Sequence, residues 1–159
     1  MHISPQLVMF PTCILNTYPG LNALDLVTKR NSAKGKEVVR VAIAAMSDAA
    51  AGSEWNFMNK LRLLEAEQQS RRHSHRKAID FYNASIEAAK KSGFIHEQGL
   101  ACEKAAFYFM RKKDVEKAFE YFKQARECYE GWGSRMKVDF IQKELDGLDH
   151  VAKARGTGF

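Results

Sequence analysis

The densest cluster of chemically capable residues is "SRRHSHRK", Ser70 to Lys77, which sets His73 and His75 among Arg71, Arg72, Arg76 and Lys77. Two histidines one residue apart point the same way only on an extended chain. A metal site also needs further ligands in fixed geometry, and the four neighbouring cations repel a metal ion. A solvated turn is the better reading. The same run suits a phosphate group or an import receptor, but a basic loop between two helices explains it more simply. His96, in "FIHEQG", has no second histidine at the spacing of a zinc-binding helix.

Other chemistries fare no better. "SAKGKE" holds a Gly35-Lys36 pair, yet no glycine precedes it at phosphate-loop spacing and Glu37 stands where Ser or Thr belongs. Glu65 and Glu67 diverge on a helix, whereas Glu116 and Glu120 face Lys112, Lys113 and Lys123, as in surface ion pairing. No G-x-S-x-G is present. Cys13, Cys102 and Cys128 are odd in number, far apart and form no C-x-x-C, which argues against a disulfide framework or a zinc ribbon. Cys102 and Cys128 read as small buried hydrophobes in a reducing compartment. The residues therefore assign no catalytic group, cofactor or metal.

The elements that must carry any function are helical. Apolar residues make up 45% and charged residues 28% of the 159, which suits a soluble core of ordinary size. The formal charge of +6 can attract nucleic acid or an acidic partner, although solvated helix faces account for such a surplus equally well. "QLVMFPTCIL" is too short to span a bilayer and lacks a signal-peptide pattern, so the expected compartment is the cytoplasm, with no membrane partner.

"KRNSAKGK" reads as a loop, with an earlier short helix over "LNALDLVTKR". A helical period then runs from Val38 to "AGS" near Gly52. Ser53 is placed to cap the next helix. Phe57, Leu61, Leu64 and Gln68 share one side of it, widened by Leu63 and Ala66. "SRRHSH" turns the chain. Ala78, Tyr82, Ser85, Ile86 and Ala89 form the next stripe, ended by "KKSG" with Gly93 in the cap region. "HEQGLACEKAAFYFMRKK" follows, with Phe107 to Met110 as core. Asp114 is an N-cap, Gly131 and Gly133 bracket Trp132 in a turn, and "SRMKVDFIQKELDGL" closes the series.

Two of these segments repeat. Ala78 matches Ala118 at an offset of 40 residues, and Ile79, Tyr82 and Ser85 match Phe119, Phe122 and Ala125. Periods near this length mark solenoids, in which one hairpin cannot bury its apolar face alone and a neighbour covers it. Small residues let helices approach, and large ones fill the gaps.

"ACEKAAFYFMRKKDVEKAFEYFKQA" resembles a tetratricopeptide repeat. Ala105 and Ala106 take the small positions of the first helix and Phe109 the aromatic one. Ala118, Phe122 and Ala125 take the small, large and small places of the second. Cys102 replaces the usual Trp-like residue, and the closing Pro is missing near Glu130. More closely, "SGFIHEQGLACEKAAFYF" followed by Ala125, Cys128, Tyr129, Trp132, Gly133, Lys137 and Val138 resembles the helical-repeat region of very large signalling proteins. Those proteins join a kinase-like domain, a STAND-type ATPase, helical repeats, a sensor domain and often a histidine kinase or cyclase. The likeness covers about residues 54–146, and none of the catalytic domains fits in this chain.

The resemblance implies an all-α, tetratricopeptide-like α-solenoid of stacked antiparallel helical hairpins. Residues 1–36 form an N-terminal extension, 37–148 the helical-repeat domain and 149–159 a flexible tail. The implied role is a non-catalytic protein-interaction or regulatory scaffold in signal transduction, whose partner is another protein or adjoining domains of a larger chain. The alternative is a basic helical repeat that binds nucleic acid. The expected binding surface is formed by the first helix of each pair, through Asn59, Lys60, Glu67, Glu97, Glu103, Lys104 and Arg111. Trp132 is expected to be at least partly shielded at the "CYEGWG" corner.

Overall fold

A computed structural model describes residues 33–72 and 74–154, and every element there is an α-helix. The helices are α1 (Ala33–Gly52), α2 (Glu54–Arg71), α3 (His75–Lys91), α4 (Ile95–Arg111), α5 (Val115–Trp132) and α6 (Arg135–Ala154). The chain divides into two compact units at Ala88/Ala89, in the last turn of α3. The expected short helix over Leu21–Arg30 lies outside the described residues.

In the first unit, α1 buries Val39, Ala42, Met46 and Ala49, an apolar stripe at helical spacing that packs on α2. The face expected on α2 is buried at Phe57, Leu61, Leu63, Leu64 and Ala66. Ala78, Tyr82, Ser85 and Ile86 form the buried side of α3. Ser85 Oγ donates to the Asn59 carbonyl at 2.7 Å, and the Arg62 guanidinium lies 5.6 Å from the Phe81 ring, so α2 and α3 form a hairpin held by both polar and apolar contacts.

The second unit is built in the same way. α4 buries Ala101, Cys102, Ala105, Ala106, Tyr108 and Phe109, whereas Phe107 and Met110 are half-buried. α5 contributes Ala118, Phe122, Ala125, Cys128 and Tyr129, and α6 contributes Ile141, Leu145, Leu148 and Ala152. Phe107 meets Phe122 edge-on, with ring centroids 5.1 Å apart.

The turns follow their residues. Asp114 accepts from the Lys117 N–H at 3.2 Å, the N-cap expected from sequence. Gly93 and Gly133 end their helices at φ 73° and 81°, a left-handed conformation open to glycine. The turn between α4 and α5 takes the same conformation with Lys113, at φ 62°.

Four local expectations are corrected. Residues 33–36 are the first turn of α1, with Gly35 buried, where "SAKGK" reads as a loop. Ser53 is the N-cap of α2 by position, but its hydroxyl accepts from the Asn56 side chain at 2.9 Å in place of a backbone N–H. Gly131 and Trp132 belong to α5, and Gly133 alone makes the break. Lastly, α6 runs to Ala154 and buries Ala152, so helix continues into the segment expected to be a flexible tail.

Candidate functional site

Of the seven residues expected to present a surface, three are buried. Asn59 is 3% exposed, Glu67 3% and Glu103 7%. Their burial corrects the surface assignment, and the reason is packing: these polar positions on α2 and α4 face the partner helix. Lys60, Glu97 and Lys104 are half-buried. The Lys60 ammonium donates to the Asn56 carbonyl at 2.9 Å, and a Glu97 carboxylate oxygen lies 3.8 Å from His96 Nε2. Arg111 is exposed.

The two buried acids each anchor a small network. Glu67 accepts from the Tyr82 hydroxyl across the first hairpin and from Arg71, one turn along α2, at 2.6 Å. Glu103 accepts from the Tyr129 hydroxyl at 2.7 Å and from Lys137 Nζ at 2.9 Å and 3.2 Å, which joins α4, α5 and α6. Each carboxylate is thus neutralised and hydrogen-bonded, as buried charge requires. Burial, reinforced by the hydrogen bond to Glu103, pushes the Tyr129 phenol above its ordinary range. That phenol stays protonated and donates. It ties α5 to α4 through the Glu103 carboxylate.

Beside the Glu103 network, the second unit exposes several large apolar groups. Trp132 is 51% exposed and Met136 79%. Ile95 and Phe140 are exposed as well. Trp132 stacks on His96 with centroids 5.2 Å apart and tilts over Tyr129 at 6.5 Å. The expected partial shielding at this corner is supplied by His96 and Tyr129. Lys137 Nζ sits 5.3 Å from the Tyr129 ring and 5.6 Å from the Phe140 ring, and its pairing with Glu103 holds the start of α6 in place. The Ile95 side chain covers Gly131, where a Cβ would come within 2.8 Å of it. A half-open Trp and an exposed Met belong to the residue types enriched in protein interfaces.

Two further features bear on partners. Exposed cations gather at both hairpin turns: Arg72, Arg76 and Lys77 at the first, Arg111, Lys112 and Lys113 at the second. The sequence displays the second cluster as "RKK", 40 residues after "RRH". A shallow cleft of about 220 Å³ opens between α5 and α6, lined by Phe119, Lys123, Arg126, Gln142, Leu145 and Asp146 among others. Arg126 donates to Gln142 across it at 2.7 Å.

Among the described residues, no helix is long and apolar enough to cross a membrane, and no three or more His, Cys, Asp or Glu side chains are grouped to hold a metal ion. No family model, curated protein or solved structure matches the chain.

Proposed function

We propose that the chain is a tetratricopeptide-like repeat module that acts as a non-catalytic interaction or regulatory scaffold in signalling. The observation that carries this reading is the repeat. α2 and α4 end 40 residues apart, at Arg71 and Arg111, and α3 and α5 begin 40 residues apart, at His75 and Val115. Ala78 and Ala118, Tyr82 and Phe122, and Ser85 and Ala125 are all 0–1% exposed. Equal spacing of helix ends and buried positions is what stacking of identical units requires. The resemblance of residues 54–146 to repeats of STAND-type ATPase and sensor-kinase proteins supplies the signalling context and the cytoplasmic setting.

The surface offered to a partner lies in the second unit and is formed by Ile95, Trp132 and Met136, with the half-buried Glu97 beside His96. Two measurements test the proposal. Small-angle scattering should give the elongated profile of stacked hairpins, and a profile of a compact sphere would reject the solenoid. A partner recovered with the wild-type chain should be lost with the folded double variant Trp132→Ala/Met136→Ala, and retained binding would reject the surface.

The cations at both turns favour a second reading, in which the turns contact the phosphates of nucleic acid. Anisotropy titrations with single-stranded RNA separate the two. Micromolar affinity that falls steeply with salt supports this reading, whereas salt-insensitive or absent binding supports the scaffold.

A further inference from the structure

The seam between α4 and α5 contains two thiols that no network described above uses. Cys102 is fully buried, and Cys128 retains 7% of its exposure. The Cys102 thiol contacts Gln124 Oε1 at 4.0 Å, one turn before Cys128 on α5. Gly99 lies one turn before Cys102 on α4, and a Cβ built on it would stand 3.1 Å from the Cys128 Cβ. Residues three or four apart share a helix face. Both thiols therefore face one closely packed seam. A disulfide needs α-carbons within roughly 7 Å and β-carbons near 4 Å, and the missing side chain at Gly99 brings the two backbones together at this point.

We propose that Cys102 and Cys128 form a latent disulfide, closed by a hydroperoxide, that staples α4 to α5. The more accessible Cys128 thiolate attacks the peroxide O–O bond, becomes a sulfenic acid and releases hydroxide. Cys102 sulfur then attacks Cys128 sulfur, its proton leaves with the sulfenic oxygen as water, and the S–S bond forms. Overall, two thiols and one hydrogen peroxide give one disulfide and two waters. The neighbouring Cys102 thiol lowers the Cys128 pKa against the opposing effects of burial and Glu127, which suits Cys128 to the attacking role. No third His, Cys, Asp or Glu joins the pair among the described residues, so it lacks the ligand set of a structural zinc site.

The test uses the full chain carrying Cys13→Ser, so that only the two seam thiols remain. After native treatment with hydrogen peroxide, peptide mapping should recover a Cys102–Cys128 cross-link within one chain. The melting temperature should rise by about 5–10 °C, given the loop the bond closes, and return with dithiothreitol. Further substitution of Cys102→Ala or Cys128→Ala should abolish that shift. Sulfinic acid at Cys128 with Cys102 still alkylatable, or cross-links only between chains, would overturn the proposal. Mapping on the chain that keeps both thiols decides the matter even where an alanine variant folds poorly.

Discussion

The hairpins α2–α3 and α4–α5 share helix ends and buried positions at one offset, yet they solve the problem of a buried acid differently. In the first, Glu67 takes its cation from Arg71 on the same helix, and the network stays beside the turn. In the second, Glu103 takes its cation from Lys137 on α6, so one carboxylate ties three helices. Position 59 is Asn, whereas position 99, its counterpart 40 residues on, is Gly, and there a Cβ would press on Tyr129 and Cys128 at 3.0–3.1 Å. Repetition thus sets the backbone frame, while each hairpin chooses its own polar contacts and its own closeness of approach.

The largest expected effect tests the shared frame. Ala118→Phe and Ala78→Phe both place a ring where no space exists, and each should cost about 3 kcal/mol or more in chemical denaturation. Equal losses support equivalence of the two positions, and a neutral change at either removes it. Next, Gly99→Asn should cost about 2–3 kcal/mol, because the new Cβ meets Tyr129 at 3.0 Å and Cys128 at 3.1 Å. Asn59→Gly should cost about 1 kcal/mol, as for Gly in a helix interior.

Glu103→Ala should cost about 2 kcal/mol, reduced from a fully buried pair because Lys137 is 35% exposed. Hydrogen exchange should then accelerate in α4, α5 and α6 together. Glu67→Ala should loosen only the ends near the first turn, and identical exchange patterns would erase the contrast between local and three-helix networks.

A smaller effect appears in alkali. The Tyr129 phenol has its folded pKa raised above that of the unfolded chain. Stability from keeping it neutral is fully present below pH of about 10 and is lost progressively as pH rises above that value. Melting of the wild type should therefore fall more steeply above that pH than melting of Tyr129→Phe. Smallest of all, Arg40→Ala breaks only an exposed pair with Glu37 and should leave the melting temperature unchanged.

The periodic part of this architecture was legible. Apolar stripes on α2, α3 and α5, the Asp114 cap and the breaks at Gly93 and Gly133 all follow from side-chain type and spacing. The first turn of α1 was not, because Gly35 between two lysines carries loop composition and joins the helix through burial. The surface residues failed for a related reason. Glu67 and Glu103 have the chemistry of exposed positions, and what buries them is a tyrosine 15 and 26 residues away. Such pairing depends on which faces meet, which periodicity alone does not encode. The degree of exposure of Trp132 was hidden likewise, since its stacked cover comes from His96 on another helix.

Lys113 holds the left-handed backbone that Gly93 and Gly133 hold at two other helix breaks. A β-carbon there is uncomfortable by about 1 kcal/mol, so a chain shaped by folding alone would have glycine at all three. The lysine at this bend is held against the grain of the main chain, so Lys113→Gly should relax the turn and raise the melting temperature slightly.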